Sequence, residues 1–307
     1  MARFLAHAFR GTQNTERRSS MKVGFLGTGL MGQPMVGRLL EAQLSVMAYN
    51  RTPSKLEPLR KSGAEISDSP AEVIQASDCI ILMLADATAI NEVLLSESSR
   101  SLLSGRTVIQ MGTIAPSESQ KIRDAVIAAG GDYLEATVLG SVPQAKKGEL
   151  QMMVGASQQQ FQKWSELLKH FGSEPLLIGP VGTAAAMKLA LNQLIASLTS
   201  AFALSLGFVQ REGVETDKFM EILRQSALYA PTFDKKLDRM SDRNYASPNF
   251  PTQHLLKDTD LFLSQASAAG LDVSNLEGVR HIIQKARDLG FSESDYAAIF
   301  SAINPQE

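Results

Sequence analysis

The chain has 307 residues, of which 44% are hydrophobic and 20% are charged, enough for two domains with separate hydrophobic cores. Its formal net charge of −2 gives no electrostatic reason to expect a nucleic acid or an anionic membrane as a partner. A single cysteine, Cys79, excludes an internal disulfide and fits a reducing compartment, and the four scattered histidines predict no metal site.

Residues 1–20 differ in composition from the rest of the chain. They contain four arginines and a single acid, Glu16. An arginine-rich, acid-poor segment fits an organellar targeting peptide. The alternative, which we favour, is a dispensable tail, because the first predicted strand opens directly at Met21. We leave these residues out of the fold and expect a cytoplasmic protein unless they direct it to an organelle.

The residues after Met21 predict a dinucleotide-binding site. A short apolar strand, Lys22–Leu26, runs into a G-x-G-x-x-G sequence formed by Gly27, Thr28, Gly29, Leu30, Met31 and Gly32. A helix over 33–43 follows. The first glycine permits the tight turn, the second lets the backbone approach a pyrophosphate, and the third lets the helix pack close to the strand. The N–H groups at the helix N-terminus then face the phosphates.

The end of the second predicted strand, Ser45–Tyr49, indicates which dinucleotide binds. An acidic residue here would hold the ribose 2′-hydroxyl of NAD, whereas a nearby arginine suits the 2′-phosphate of NADP. The strand is followed by Asn50, Arg51 and Thr52, with no acid among them. Arg51 can pair with a phosphate through two hydrogen bonds, and its neighbours would add neutral donors. We therefore predict NADP(H), with a solvated loop charge as the alternative role of Arg51.

Strands and helices then alternate along the chain. Further strands are predicted near 64–66 and over 79–84, 107–110, 132–135, 150–154 and 175–178, and helices lie between most of them. This alternation predicts an α/β fold over residues 21–181, a Rossmann-type doubly wound parallel sheet with helices on both faces. Ligands bind beyond the carboxyl ends of such strands, where the sequence places Ala85, Asp86 and Thr113.

The stretch from 182 to 212 predicts one long helix. Strong helix formers dominate it, with Gly182 and Thr183 at its start and Gly213 after its end. A helix of about thirty residues spans about 45 Å, so we expect it to join two domains or two subunits, in a homodimer or homotetramer. No residue from 189 to 208 is charged, which leaves a membrane span as an alternative, although polar residues interrupt the run.

Beyond Gly213 the pattern is helical to the end of the chain. Residues 182–307 therefore form a predicted all-α C-terminal domain, joined to the sheet by the long helix, with further helices over 216–226, 233–239, 252–269, 274–288 and 293–303.

Lys188 and Asn192 stand four residues apart near the start of the long helix and so share a face. A lysine held near apolar surface and beside a cofactor has a lowered pKa and is a better acid. The alternative is that Lys188 simply extends its ammonium group to the surface of a core helix.

Four separated motifs, in this order, resemble the β-hydroxyacid dehydrogenase family, which includes 3-hydroxyisobutyrate dehydrogenase, tartronate semialdehyde reductase and the glyoxylate/succinic semialdehyde reductases. The motifs are GFLGTGLMGQPM at 24–35, EATVLGSVPQAKKGEL at 135–150, KLALN at 188–192 and FPTQHLLKDTDL at 250–261. Glu135, Ser141 and the residues that follow the second strand resemble in particular the plant-type glyoxylate/succinic semialdehyde reductases, which use NADPH.

The resemblance implies an NADPH-dependent reductase of small carboxylate-bearing aldehydes, such as glyoxylate and succinic semialdehyde. It identifies Lys188 as the general acid, which also stabilises charge on the carbonyl oxygen, and Asn192 as its catalytic neighbour. It further implies that the turn at Gly140 and Ser141 presents backbone N–H groups to the substrate carboxylate.

The resemblance also implies contacts from the fourth motif and one departure from the family. Phe250 forms a wall of the pocket, Lys257 lies near the nicotinamide, and Asp258 orients neighbouring charges on the substrate side. Without the motif, Lys257 and Asp258 would be taken for a surface ion pair on a helix. Leu139 stands where the family usually carries a substrate-binding serine.

Two alternative functions remain open from the sequence. The first is a 3-hydroxyisobutyrate-type dehydrogenase that oxidises a 3-hydroxy acid. The second is a non-catalytic NADP-binding protein, although such a protein would be free to lose Lys188 and Asn192.

Overall fold

The computed structural model describes residues 21–306, so the predicted tail or targeting segment at 1–20 lies outside the described residues. Eight strands form one sheet in the order β3-β2-β1-β4-β5-β6-β7-β8. They are β1 (Lys22–Leu26), β2 (Ser45–Tyr49), β3 (Glu65–Ile66), β4 (Cys79–Leu82), β5 (Thr107–Gln110), β6 (Asp132–Leu139), β7 (Gln151–Gly155) and β8 (Leu176–Gly179).

Eight helices cover the two faces of this sheet and produce a separate apolar core on each. Val23 and Phe25 of β1 lie in one core and Leu26 lies in the other, because neighbouring side chains of a strand point to opposite faces. The helices are α1 (Gly32–Glu41), α2 (Glu57–Lys61), α3 (Pro70–Gln75), α4 (Ala87–Leu94), α5 (Glu97–Arg100), α6 (Pro116–Ala128), α7 (Val142–Lys147) and α8 (Gln158–Leu168).

The prediction of a wholly parallel sheet is wrong at one pair of strands. β6 and β7 run antiparallel, with Leu139 opposite Gln151, whereas the other neighbouring pairs of the sheet are parallel. The connection over 140–150, which contains only the short helix α7, is too short for a parallel crossover. The loop between these strands therefore lies at the carboxyl end of β6, on the ligand-binding side of the sheet.

The long helix α9 (Thr183–Arg211) connects the sheet to the rest of the chain. It begins after Gly182, which has a φ of 106°, and stops before Gly213, which has a φ of 75°. Near its start the Thr137 hydroxyl of β6 donates to the Ala184 carbonyl at 3.1 Å. Within residues 21–306, α9 is the one helix long and apolar enough to cross a membrane, and 44% of its most apolar window is buried inside the protein.

The remaining helices pack on the second half of α9 around a third core, which includes Phe202, Phe233 and Phe300. They are α10 (Thr216–Gln225), α11 (Pro231–Ser241), α12 (Thr252–Ala268), α13 (Ser274–Ala286) and α14 (Ile299–Ile303). The predicted helix over 293–303 is wrong in its first half. Asp295 has extended backbone angles, and its side chain accepts from the Ala297 N–H, so a short 3₁₀ turn precedes α14.

Candidate active site

The glycine-rich turn after β1 leaves space at the start of α1. Gly27 has a φ of 103°, and a Cβ there would lie 2.3 Å from the Met83 carbonyl oxygen. A Cβ at Gly32 would lie 2.1 Å from the Gly27 carbonyl oxygen, so α1 packs closely on the strand. Gly29 by contrast has no atom within 4 Å of the place that a Cβ would take, which leaves room for a pyrophosphate at the helix N-terminus.

Side chains after β2 hold this turn in place. The Asn50 Oδ1 accepts from the Thr28 N–H at 3.1 Å, and the Asn50 amide donates to the Thr52 carbonyl at 3.1 Å. Asn50 therefore makes two hydrogen bonds within the protein, and a contact from its remaining amide N–H to the cofactor stays a prediction. Arg51 is exposed, and within residues 21–306 its guanidinium has no hydrogen-bond or ion-pair partner. Arg51 is thus free to meet a phosphate beside the glycine turn.

The other residues of the glycine-rich turn differ in exposure. The Leu30 side chain is 49% exposed, so it can cover a ligand only from outside. Thr28 is fully buried, and its hydroxyl has no hydrogen-bond partner among the described residues. Met31 is partly buried against the core beneath the sheet. Contacts of the cofactor with the backbone and with the side chains of this turn both stay predictions.

Lys257 brings the two loops predicted at the strand ends into contact with α12. Its ammonium group donates to the Ala85 carbonyl at 2.8 Å and to the Thr113 carbonyl at 2.6 Å. It also lies 3.0 Å from Asp258 Oδ1, and Asp258 is 3% exposed. The alternative of a surface ion pair is therefore wrong. Asp86, in the first of these loops, uses its carboxylate to cap α4 through the Ala89 N–H at 2.8 Å.

Asn192 and Asp258 connect α9 to α12 beside Lys257. The Asn192 amide donates to Asp258 Oδ2 at 2.6 Å, and both residues are buried. The Asn192 Oδ1 has no partner within the described part of the chain. This unpaired acceptor, next to the ion pair of Lys257, marks a position where a polar ligand atom can bind.

Lys188 lies one helical turn before Asn192 and is only partly exposed. Burial of its ammonium group, the largest influence, lowers the pKa from 10.5 to about 8, while Asp258 raises it and Lys257 lowers it. A lysine with this pKa is charged at neutral pH and still releases a proton readily. The predicted lowering of the Lys188 pKa thus has a physical cause in the structure.

The substrate turn at the end of β6 differs in detail from its prediction. Leu139 ends the strand and is partly exposed, and Gly140 follows with a φ of 137°. The Ser141 N–H donates to Gln144 Oε1 at 3.0 Å, and the Ser141 hydroxyl lies 2.6 Å from the same oxygen. The expectation of a free Ser141 N–H is therefore corrected, since α7 uses that group for its own cap. A contact from Ser141 to a substrate stays a prediction.

Phe250 and His254 form an aromatic group at the start of α12. Their ring centroids lie 6.4 Å apart, and Phe250 also packs edge-on against Tyr296 at 5.8 Å. Burial lowers the pKa of His254, and the nearby Lys257 lowers it further. Sequence reasoning missed His254, although its spacing of three residues from Lys257 places both on one face of the helix.

The glycine turn, its free arginine and the lysine between sheet and helices define an oxidoreductase that uses a nicotinamide dinucleotide. Comparison with known proteins supports the same class of protein. The family model for the NAD binding domain of 6-phosphogluconate dehydrogenase matches residues 22–179, and the model for NAD-binding of NADP-dependent 3-hydroxyisobutyrate dehydrogenase matches 182–303.

Individual relatives cover nearly the whole chain. Glyoxylate/succinic semialdehyde reductase 1 of Arabidopsis thaliana is 32% identical over 285 residues, which are 92% of this chain and 98% of that protein. The 2-hydroxy-3-oxopropionate reductase of Escherichia coli (strain K12) is 30% identical over 288 residues, 92% and 97% of the two chains. The structure of 3-hydroxyisobutyrate dehydrogenase from Salmonella typhimurium is similar with a TM-score of 0.83 at 22% identity, covering 92% and 99%.

The chain therefore belongs to the β-hydroxyacid dehydrogenase family, and it is an oxidoreductase that acts on CH–OH groups. The resemblance predicted from the four motifs is confirmed, as is the fold class of a Rossmann-type sheet followed by a helical domain.

Proposed function

We propose that the chain is an NADPH-dependent reductase of small carboxylate-bearing aldehydes, such as glyoxylate and succinic semialdehyde, and that it forms the corresponding hydroxy acids. The observation that carries the proposal is the Lys188 ammonium group with a pKa of about 8, beside the buried Asn192–Asp258 pair. Two relatives that share about a third of the sequence are named for reduction of such aldehydes, which supports this substrate class.

The proposed chemistry needs a hydride, a proton and stabilisation of charge. When bound, NADPH supplies the hydride, and the fit of a dinucleotide is supported by the open space at Gly29. Lys188 would donate its proton to the carbonyl oxygen as negative charge develops there. Asn192, whose amide donates to Asp258 at 2.6 Å, leaves its amide oxygen free to accept a hydrogen bond one helical turn from Lys188, where it would hold the lysine in place for proton transfer.

The preference for NADP(H) over NAD(H) is part of the proposal. It is supported by the unpaired Arg51 after β2 and by the absence of an acid in the sequence from Asn50 to Thr52. One of the family models is that of an NADP-dependent enzyme, and a similar structure, Psf3, is a complex with NADP+.

A second candidate is the oxidation of a 3-hydroxy acid, as in a 3-hydroxyisobutyrate-type dehydrogenase. It is favoured by the pKa of Lys188 near 8, because a neutral lysine above that pH can accept the proton of an alcohol. Initial rates with glyoxylate, succinic semialdehyde and 3-hydroxyisobutyrate, each with both cofactors, decide between the two. The alternative of a non-catalytic NADP-binding protein is less favoured, because the chain belongs to an oxidoreductase family and keeps Lys188 and Asn192. Relatives named cytokine-like nuclear factor N-PAC, of which the chain spans about half, are 25–27% identical over 92% of this chain.

The location of the protein in the cell stays a prediction. We propose a cytoplasmic enzyme unless residues 1–20 act as a targeting segment, and one relative is named chloroplastic. Fractionation of cells that express the chain with and without these residues checks this point.

The test of the proposed function is the Lys188→Ala substitution. We expect single-turnover reduction by NADPH to slow by about 10²–10⁴-fold, the contribution of a positioned general acid. NADPH affinity, measured by fluorescence, should stay near the wild-type value because Lys188 acts in the transition state. Lys188→Arg should fail as well, since a guanidinium group does not release its proton at neutral pH.

The pH dependence and a control sharpen this test. The wild-type reduction rate should fall as pH rises above about 8, where Lys188 loses its proton. Lys169→Ala is a matched control, because Lys169 is an exposed lysine that pairs with Glu166 on the surface. The proposal is overturned if Lys188→Ala keeps most of its single-turnover rate, or if its sole defect is lost cofactor binding.

A further inference from the structure

A buried ion pair lies in the helical domain, among residues that have no assigned role in the proposed reaction. The Lys236 ammonium of α11 is 2.7 Å from Asp295 Oδ1, and the two side chains are 7% and 0% exposed. Removing two charges from water costs several kcal/mol per ion, and only good geometry with additional hydrogen bonds offsets that cost. The other contacts of the pair therefore show what it holds in place.

The Asp295 carboxylate binds two backbone N–H groups besides the lysine. Its Oδ2 accepts from Asn249 at 3.3 Å, and its Oδ1 accepts from Ala297 at 3.1 Å. The Lys236 ammonium also lies 3.9 Å from the centre of the Tyr296 ring, within the range of a cation–π contact. The pair thus fixes both the segment before α12 and the segment before α14.

These two segments are bonded directly to one another. Pro251 and Asp295 form an isolated antiparallel bridge, and the Tyr296 N–H donates to the Phe250 carbonyl at 3.1 Å. The Thr252 N–H donates to the Ser294 carbonyl at 2.9 Å. The Phe250 backbone is consequently held on both sides, and its ring rests edge-on against Tyr296.

Phe250 is the residue expected to form a wall of the substrate pocket, and α12, which starts at Thr252, carries Lys257 and Asp258. We propose that Lys236 is a positioning residue. Through Asp295 it fixes the backbone of 249–251, and with it the Phe250 ring, so that it determines how tightly the carbon chain of the aldehyde is held without contacting the substrate. This inference rests on the proposed function of the site.

A purely structural role makes a different prediction, and a double variant separates the two. Lys236→Met alone would leave the Asp295 carboxylate buried without a counter-ion and could unfold the domain. Lys236→Met/Asp295→Asn removes both charges, keeps the length of the lysine stem and keeps one acceptor for the backbone N–H groups. Replacing a buried ion pair by well-packed hydrophobic residues of similar volume is often neutral or stabilising. Asparagine is used at 295 because its oxygen keeps one of the two bonds to the Asn249 and Ala297 N–H groups.

We expect the double variant to fold, to bind NADPH as the wild type does and to lose rate at the same pH. Its KM for succinic semialdehyde should rise by about 5-fold or more, with a smaller change in kcat, because ground-state contacts to the carbon chain are loosened. Amide hydrogen exchange in the segment 247–252 and at Tyr296 should be faster than in the wild type. An unchanged KM together with unchanged exchange overturns the inference, and so does an equal loss of NADPH affinity.

The matched control is Arg224→Met/Asp234→Asn. This pair also involves α11, but it is exposed, with side-chain accessibilities of 47% and 36%, and within residues 21–306 none of its side-chain hydrogen bonds reaches 249–251. It should leave KM and the exchange of that segment unchanged. If the wild-type chain reduces no aldehyde, the proposed function fails, while the exchange comparison still tests whether Lys236 fixes the Phe250 segment.

Discussion

Arg51 decides the cofactor in the proposed function, because its guanidinium is exposed at the end of β2 without a partner within residues 21–306. A hydrogen bond to a charged group contributes about 1.5–3 kcal/mol. Arg51→Ala should therefore raise the KM for NADPH by about 10-fold or more and leave that for NADH little changed. Initial rates with the two cofactors measure this. An equal rise in KM for NADPH and NADH would show that Arg51 does not bind the 2′-phosphate.

Leu139 distinguishes the chain from the usual pattern of its family and ends β6 in a partly exposed position. A serine hydroxyl there would contribute a hydrogen bond to a charged substrate group, worth about 1.5–3 kcal/mol. Leu139→Ser should improve kcat/KM for glyoxylate more than for succinic semialdehyde, since a small polar substrate depends more on that contact. If the ratio of the two values does not change, the Leu139 side chain does not face the substrate.

Much of the candidate site could be predicted because its residues belong to local motifs. The glycine turn and the spacing of Lys188 and Asn192 are properties of single segments. The hydrogen-bond partners of these residues could not be predicted in this way, because they come from distant parts of the chain. Nothing in the sequence indicates that Asn50 accepts from the Thr28 N–H of the turn, or that Gln144 accepts from the Ser141 N–H.

At the scale of the elements, segments marked by apolar runs or glycines were predicted well, and two very short helices were not. β1 and β2 have their predicted bounds, and α9 differs from its prediction by one residue at each end, because apolar runs and glycines mark them clearly. The short helices α5 and α7 were missed, since a few turns leave no periodic pattern. β6 extends four residues beyond its predicted end, to the backbone break at Gly140.

The start of α9 depends on an acid from the sheet. Gly182 at its N-terminus has no side chain to cap the helix. Glu135 of β6 is fully buried there, and its carboxylate accepts from the Ala185 N–H at 3.4 Å. Burial raises the pKa of Glu135, the largest effect, while hydrogen bonds from Ser119 and from the backbone of Gly182 lower it. Because Lys188 lies on the second turn of α9, Glu135 also helps to fix the position of the Lys188 side chain, the proposed general acid.

Glu135→Gln should change how stability depends on pH. The folded state binds the Glu135 proton more tightly than the unfolded chain does, where the Glu135 pKa is 4.5. Protonated Glu135 therefore stabilises the fold below pH 4.5, and this stabilisation is lost as the pH rises through the pKa of Glu135 in the folded state. The glutamine variant cannot ionise. The difference in the free energy of unfolding, variant minus wild type, should therefore increase between pH 5 and pH 8. The increase is about 1.4 kcal/mol for each unit by which folding raises the Glu135 pKa.

Urea unfolding of both proteins at the two pH values measures this difference. Glu92→Gln is the control, because Glu92 is an exposed glutamate of α4 and the same chemical change is made there on the surface. A constant difference between wild type and Glu135→Gln across this range would show that Glu135 does not titrate with folding.

At the scale of the whole molecule, the candidate site exists only where the sheet and the helical domain meet. Lys257 from α12 contacts the loops that follow β4 and β5, and Asp258 beside it contacts Asn192 of α9. The sequence can place each of these residues on its own helix or loop. It cannot give the distances between them, because those depend on how α9 crosses both domains.

The outer face of α9 remains apolar after both domains have packed on it. Its exposed large side chains, which a single copy leaves in water, are Met187, Leu194, Leu198, Leu204 and Phe208. An apolar surface of this kind marks an interaction site. We propose that a second copy of the chain covers it and not a lipid bilayer, because polar residues interrupt the apolar run, among them Ser205, which is exposed.

This proposal predicts the behaviour of one double variant. Leu204 and Phe208 are each 63% exposed, so Leu204→Glu/Phe208→Glu should leave the fold of one copy intact. Two carboxylates would have to be buried at the interface, where an unpaired charge is strongly disfavoured. Light scattering without detergent should give at least a dimer for the wild type and a monomer for the variant at micromolar concentration. A monomeric wild type would refute the interface, and a wild type that dissolves only with detergent would favour the membrane alternative.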